Sequence, residues 1–175
     1  MKISKWIFPL LFISIFLASC SDDDSSNADN SDLVGTWNMT SVDYNAVSST
    51  TAAGFTTTAT SVGTSFDENS TLTITNDNMA ATGTYGLNLV VTTEFSGNTT
   101  SANQTWESQQ FTNNGAYTRS GNTLTVENPQ GGTDDMNIDE LTANNLTLSG
   151  TVVTTTSQSG ATGTSTIDVV FYFER

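Results

Sequence analysis

The residue types that could do chemistry in this chain are few. There is no histidine, so the commonest general base and the commonest zinc ligand are both missing. Serine–histidine and cysteine–histidine nucleophilic catalysis are therefore excluded. No glycine-rich run ends in Gly-Lys-Ser/Thr, so no phosphate loop is present. The single cysteine, Cys20, forbids an internal disulfide and a cysteine-rich metal site. What remains is carboxylate: Asp67-Glu68, Asp134-Asp135 and Asp139-Glu140. Two such groups could serve a glycosidase as acid and base, and Asp134-Asp135 or Asp67-Glu68-Asn69 could hold a hard cation with nearby carbonyls. They fall in expected turns or at strand ends, where a solvated charge is the ordinary state, and no EF-hand spacing accompanies them. No catalytic residue, metal site or cofactor is assigned.

The charge balance narrows the partners. Four basic residues stand against 18 acidic ones, for a net charge of −14 and a pI near 4.1. Nucleic-acid binders need clustered positive charge, so that class is excluded. An anionic membrane surface would repel the chain. Five Asn-x-Ser/Thr triplets, at Asn38, Asn69, Asn98, Asn103 and Asn145, follow from so Asn- and Thr-rich a composition and are not read as modification sites.

Cys20 has a distinctive setting. Lys2 and Lys5 precede the mostly apolar run Trp6 to Leu17, which is too short to span a bilayer as a mature helix. A charged start, an apolar core and small residues make a secretory signal peptide. The end of that run, Leu17-Ala18-Ser19-Cys20, resembles the lipobox of bacterial lipoproteins. The resemblance implies cleavage between Ser19 and Cys20, acylation of Cys20 and an anchor of three chains, which holds where one chain would not. An ordinary signal peptide with an incidental cysteine is the alternative. Residues 1–19 then leave the fold, and only Arg119 and Arg175 remain as basic side chains.

Residues 20–32 are polar and acidic and read as a flexible linker, with a reach of roughly 20 Å in the coil regime. Their start, Ser21-Asp22-Asp23-Asp24, resembles the acidic export signal of surface lipoproteins in one group of Gram-negative bacteria. It implies an outer-membrane protein facing the medium. A solvated tether facing the periplasm is the alternative.

From residue 33 to 175 the chain reads as one all-β domain. The sequence holds 33 threonines and 21 serines. Threonine is β-branched and favours strands while keeping a hydroxyl for water. Apolar residues alternate at Leu72/Ile74, Leu124/Val126, Met136/Ile138 and Leu146/Leu148. At the end Ile167, Val169, Phe171 and Phe173 share one face. Turn chemistry recurs between these segments, as at Ser96-Gly97-Asn98 and Ser120-Gly121-Asn122. The spacing predicts about ten strands: 34–45, 55–66, 70–75, 79–95, 99–111, 115–119, 122–127, 133–140, 145–156 and 163–174. Short connections predict an antiparallel meander, and hiding its edges predicts a barrel or a strongly curved sheet. The segments 48–64, 92–105 and 151–166 are nearly free of large apolar residues. They are expected to be the wet parts of long Thr-rich hairpins projecting beyond the core, with a register that no buried face pins.

Leu33-Val34-Gly35-Thr36-Trp37 resembles the opening of lipocalin-like domains, which begin with Gly-x-Trp on the first strand. Three further pieces are similar to lipocalin-like domains of bacterial lipoproteins: Gly115-Ala116-Tyr117-Thr118-Arg119-Ser120-Gly121-Asn122-Thr123-Leu124, Ile138-Asp139-Glu140-Leu141 with Leu146-Thr147-Leu148, and Val170 to Arg175. Tyr117 departs from the pattern, where a tryptophan is common, and so do the long Thr-rich inserts. The resemblance implies a β-barrel that holds a small apolar or amphipathic ligand in its mouth. It also implies that Arg175, near the last strand, stacks on Trp37, with Gly35 allowing the close approach. The competing reading is a structural or protein/glycan interaction module of the cell envelope with a solid core. Trp37, Trp106, Phe111 and Phe171 decide between them, since they either fill the centre or line a cavity.

Overall fold

β-Branched and alternating segments pair throughout into one antiparallel sheet. The computed structural model describes residues 30, 32–128, 131–158 and 160–175. Eleven strands follow in chain order: β1 (Gly35–Ala52), β2 (Phe55–Phe66), β3 (Thr71–Ile74), β4 (Asn78–Thr82), β5 (Tyr85–Phe95), β6 (Asn98–Gln109), β7 (Gly115–Ser120), β8 (Thr123–Glu127), β9 (Thr133–Leu141), β10 (Asn145–Gln158) and β11 (Ala161–Glu174). The expected strand 79–95 is two strands. Gly83, at φ +86°, breaks it, and a Cβ there would lie 2.0 Å from the Asn69 carbonyl oxygen. Only glycine tolerates both that φ and that approach.

The strands run β11-β10-β9-β8-β7-β4-β3-β1, and β11 pairs back onto β1 to close an eight-stranded barrel. The connectivity departs from plain up-and-down order because β1 is long. Its first residues, Gly35 to Asn38, pair with β3, whereas Asp43 to Ala52 pair with β2. The sheet therefore forks along β1, and β2, β5 and β6 extend from its upper half outside the barrel. With β5 and β6 diverted, β4 pairs directly with β7.

The alternation along β1 changes phase at a bulge between Met39 and Ser41. Trp37 and Met39 point inward, then Val42, Tyr44 and Ala46 do so. One extra residue thus keeps both halves of the strand facing the core, where a regular strand would turn its upper half outward. The buried core joins Leu33, Trp37, Leu72, Met79, Leu124, Leu146, Phe173 and their neighbours, with polar residues alternating outward. Leu33, Met79 and Met136 belong to it as well. Val170 and Tyr172, on the opposite face of β11, are half-buried.

The hairpins β1–β2, β5–β6 and β10–β11 carry the Thr-rich segments. They lie side by side in the order β10-β11-β1-β2-β5-β6. The register Thr156–Gly163–Thr50–Thr57–Phe95–Asn98 crosses all six strands, so their reversals share one end of the molecule. Hydroxyl pairs stitch neighbouring strands: Ser48 with Ser165 and Thr51 with Thr56 at 2.9 Å, and Thr92 with Ser101 at 3.0 Å.

Candidate functional site

The lower end of the barrel is sealed. Trp37 is 0 % exposed, and its Nε1 donates to the Leu33 carbonyl at 2.9 Å. The Arg175 guanidinium carbon lies 3.9 Å from the Trp37 ring centroid. Arg175 Nη2 donates to the carbonyls of Asp32 at 2.9 Å and Val34 at 2.7 Å. Gly35 stands at φ +149°, and a Cβ on it would come within 3.0 Å of Arg175 Nη2. The structure thus brings Gly35, Trp37 and Arg175 together. Cys20, Ser19, Ser21, Asp22, Asp23 and Asp24 lie outside the described residues.

The centre of the barrel is filled. Phe111, in the segment between β6 and β7, is buried against Phe171 and Phe173, with ring centroids 4.8 and 6.0 Å away. Tyr85 meets Phe171 edge-on at 6.4 Å. The segment is tied in place by Asn114, whose Nδ2 donates to the Phe111 carbonyl and whose Oδ1 accepts from the Ala81 amide at 2.6 Å. Of the four deciding aromatics, Trp37, Phe111 and Phe171 occupy the interior. Trp106 lies at the rim, 37 % exposed, edge-on to Tyr44 at 5.7 Å.

An open cleft lies at the upper end of the barrel. Pairing between β9 and β10 stops at Asn137 and Ser149. Above that point β10 continues with β11 alone, and a cleft of about 360 Å³ opens where the two strands part. Met136, Val169 and Phe171 give it an apolar floor, and Asn113, Asp134 and Asp135 belong to its polar lining. Asp134 pairs with the buried Val126 and so shares the inward phase of β9. Its Oδ2 accepts from Asn128 Nδ2 at 3.1 Å. Asp135 takes the outward phase and accepts from the Thr125 hydroxyl at 2.7 Å. An apolar floor with one oriented carboxylate suits a small amphipathic molecule with a donor at one end. The alternation of Met136 with Ile138 marks the floor in the sequence. The cleft itself depends on where two strands separate, which no local pattern records.

The remaining acids do not converge. Asp67 and Glu68 lie in the connection after β2, where Glu68 accepts from the Ser65 hydroxyl. Asp139 and Glu140 are exposed at the end of β9. Among the described residues no group of three or more metal-ligating side chains is found.

A family model described as a lipocalin-like domain matches residues 33–148. No curated protein and no solved structure matches the chain.

Proposed function

Because the chain belongs to the lipocalin-like family, we propose that it is a non-catalytic binding module, anchored by lipid at Cys20 and displayed on the outer face of an outer membrane, that takes a small apolar or amphipathic ligand at the barrel mouth. The cleft between β9 and β10 carries this reading. It falls within the size range of small-molecule sites, roughly 300–1,000 Å³, and joins the floor of Met136, Val169 and Phe171 to the carboxylate of Asp134. The filled interior restricts the ligand to that mouth. Leu17-Ala18-Ser19-Cys20 supports the anchor, and Ser21-Asp22-Asp23-Asp24 supports the outward address.

Native mass spectrometry of the detergent-solubilised mature protein tests the ligand. A co-purifying species that Met136→Trp excludes is the expected result. Its repeated absence favours the second reading, an interaction module with a solid core, for which the packing of Phe111 against Phe171 and Phe173 speaks. Labelling with radioactive palmitate tests the anchor, and Cys20→Ala should lose the label. Protease treatment of intact cells should remove the domain, and full protection would place it on the inner side.

A further inference from the structure

The six-strand array above the barrel has two unlike faces. Pairing runs straight across the strands, so each row of register lies on one face. The rows through Tyr44, Ala46, Ser48 and Thr50 share the inward phase of Val42. Among the described residues, no acidic or basic side chain stands in those rows. The alternate rows carry Asp43, Glu94 and Asp168. In a chain of 18 acids and net charge −14, one broad face is free of charge.

That face is also concave. Along the middle of β1, Tyr44, Ala46 and Ser48 are buried or half-buried, whereas Asn45 and Val47 between them are exposed. Trp106 on β6 reaches Tyr44 on β1 although β2 and β5 lie between their strands. Three strand spacings of about 4.8 Å would hold those rings apart on a flat sheet, so the sheet curls toward this side.

Exposed rings stand at both ends of the hollow. Phe55 and Phe95 pair at 6.2 Å near the hairpin reversals, 61 % and 47 % exposed. Trp106 and Tyr44 pair at the base. Leu87, the partner of Trp106, and Phe95 are eight residues apart on β5, which is about 26 Å. Between the ring pairs the floor offers hydroxyls and amides on small side chains, among them Ser48, Thr93, Thr100 and Gln104.

We propose that this concave face is a second binding surface, adjoining the mouth cleft where the row through Tyr44 reaches Val169, and that its occupant is an extended, uncharged polysaccharide strand. Sugar rings present apolar C–H faces that lie against aromatic rings, and a rim of hydroxyls that pairs with serine, threonine and glutamine. A neutral glycan matches the absence of charge. A peptide adding itself as a strand needs unpaired backbone, which the inner strands of the array do not offer because they are paired on both sides. A second copy would bring a second net charge of −14 against the first.

The test uses the detergent-solubilised mature protein and a panel of probes: cello-, xylo-, manno- and malto-hexaose in titration calorimetry, and the matching insoluble polysaccharides in pull-down. At least one neutral glycan should bind. Trp106→Ala and Phe95→Ala should each weaken it by about tenfold or more, as for an aromatic anchor. Thr100→Asp, which places a charge in the hollow without removing a ring, should weaken it too. Val62→Asp on the convex face should leave it unchanged. Far-ultraviolet circular dichroism of each variant separates lost binding from lost fold. Met136→Trp, which blocks the mouth cleft, should also leave glycan binding intact, so failure of either site is told apart from the other. No binding across the panel, binding indifferent to Trp106 and Phe95, or a dimer that Trp106→Ala dissociates would each overturn the proposal.

Discussion

The guanidinium of Arg175 lies 3.9 Å from the centroid of the Trp37 ring while one of its nitrogens bonds two carbonyls of the segment leading into β1. Arg175, just past the end of β11, thereby closes over Trp37 near the start of β1. The attraction of a cation to an indole face contributes about 0.5–2 kcal/mol, and the two carbonyl bonds restrain where the chain enters β1. Arg175→Ala should therefore lower the urea midpoint by the equivalent of roughly 1–2 kcal/mol. Arg175→Lys should recover only part of it, because an ammonium lacks the planar fork. A midpoint unchanged in Arg175→Ala would show that the cover is ornamental.

Glycine at position 83 meets two demands at once, a φ of +86° and backbone at 2.0 Å from a would-be Cβ. Gly97 meets only the first, at φ +79° with nothing within 4 Å. Gly83→Ala should cost several times what Gly97→Ala costs, the latter being about 1 kcal/mol. Thermal melting of the two variants side by side checks the ratio, and equal losses would contradict the close approach.

Phe111 is held in the barrel by two ring contacts, on a segment that is not part of any strand. Phe111→Ala should destabilise the domain by about 3–5 kcal/mol. If the fold survives, the hole joins the mouth cleft, and binding of a hydrophobic fluorescent dye should rise above wild type.

Burial pushes the phenol of Tyr85 above its usual value of 10.0, and the neighbouring Tyr44 hydroxyl pushes it the same way. Tyr117 is also raised, chiefly by burial, with Asp77 adding to the effect and Arg119 opposing it, while its hydroxyl donates to the Thr75 carbonyl at 2.8 Å. Both groups ionise more readily in the unfolded chain. Their contribution is fully present below about pH 10 and is lost as pH rises through the folded values. The denaturation midpoint should hold up to that pH and fall beyond it. Tyr85→Phe should flatten the fall, and a fall of equal steepness in the variant would rule Tyr85 out as its source.

Much of the architecture was legible in the pattern of residues. Period-two alternation in Leu72/Ile74, Leu124/Val126 and Phe171/Phe173 located strands because one face of each is buried. Arg175 and Trp37 could be paired through the lipocalin-like resemblance, which supplied a relation across most of the chain. Three features were not legible, each for a physical reason. The break at Gly83 comes from the Asn69 backbone approaching from elsewhere in the fold. The diversion of β5 and β6 onto β2 is a long-range pairing between segments that alternation alone cannot match to partners. Trp106 is an aromatic of the kind that fills cores but sits at a rim, because its strand is the last of the array and, among the described residues, no strand pairs with its outer edge.

The length of β1 also sets an orientation. Its first residue stands beside Arg175 at the sealed pole, and its last reaches the hairpin reversals, about 55 Å away along an extended strand. Any tether at Cys20 therefore joins the domain at its foot and leaves the Phe55 and Phe95 crest as the most distal point. On the anchor proposed at Cys20, the molecule would stand like a mast, offering its uncharged hollow away from its mooring.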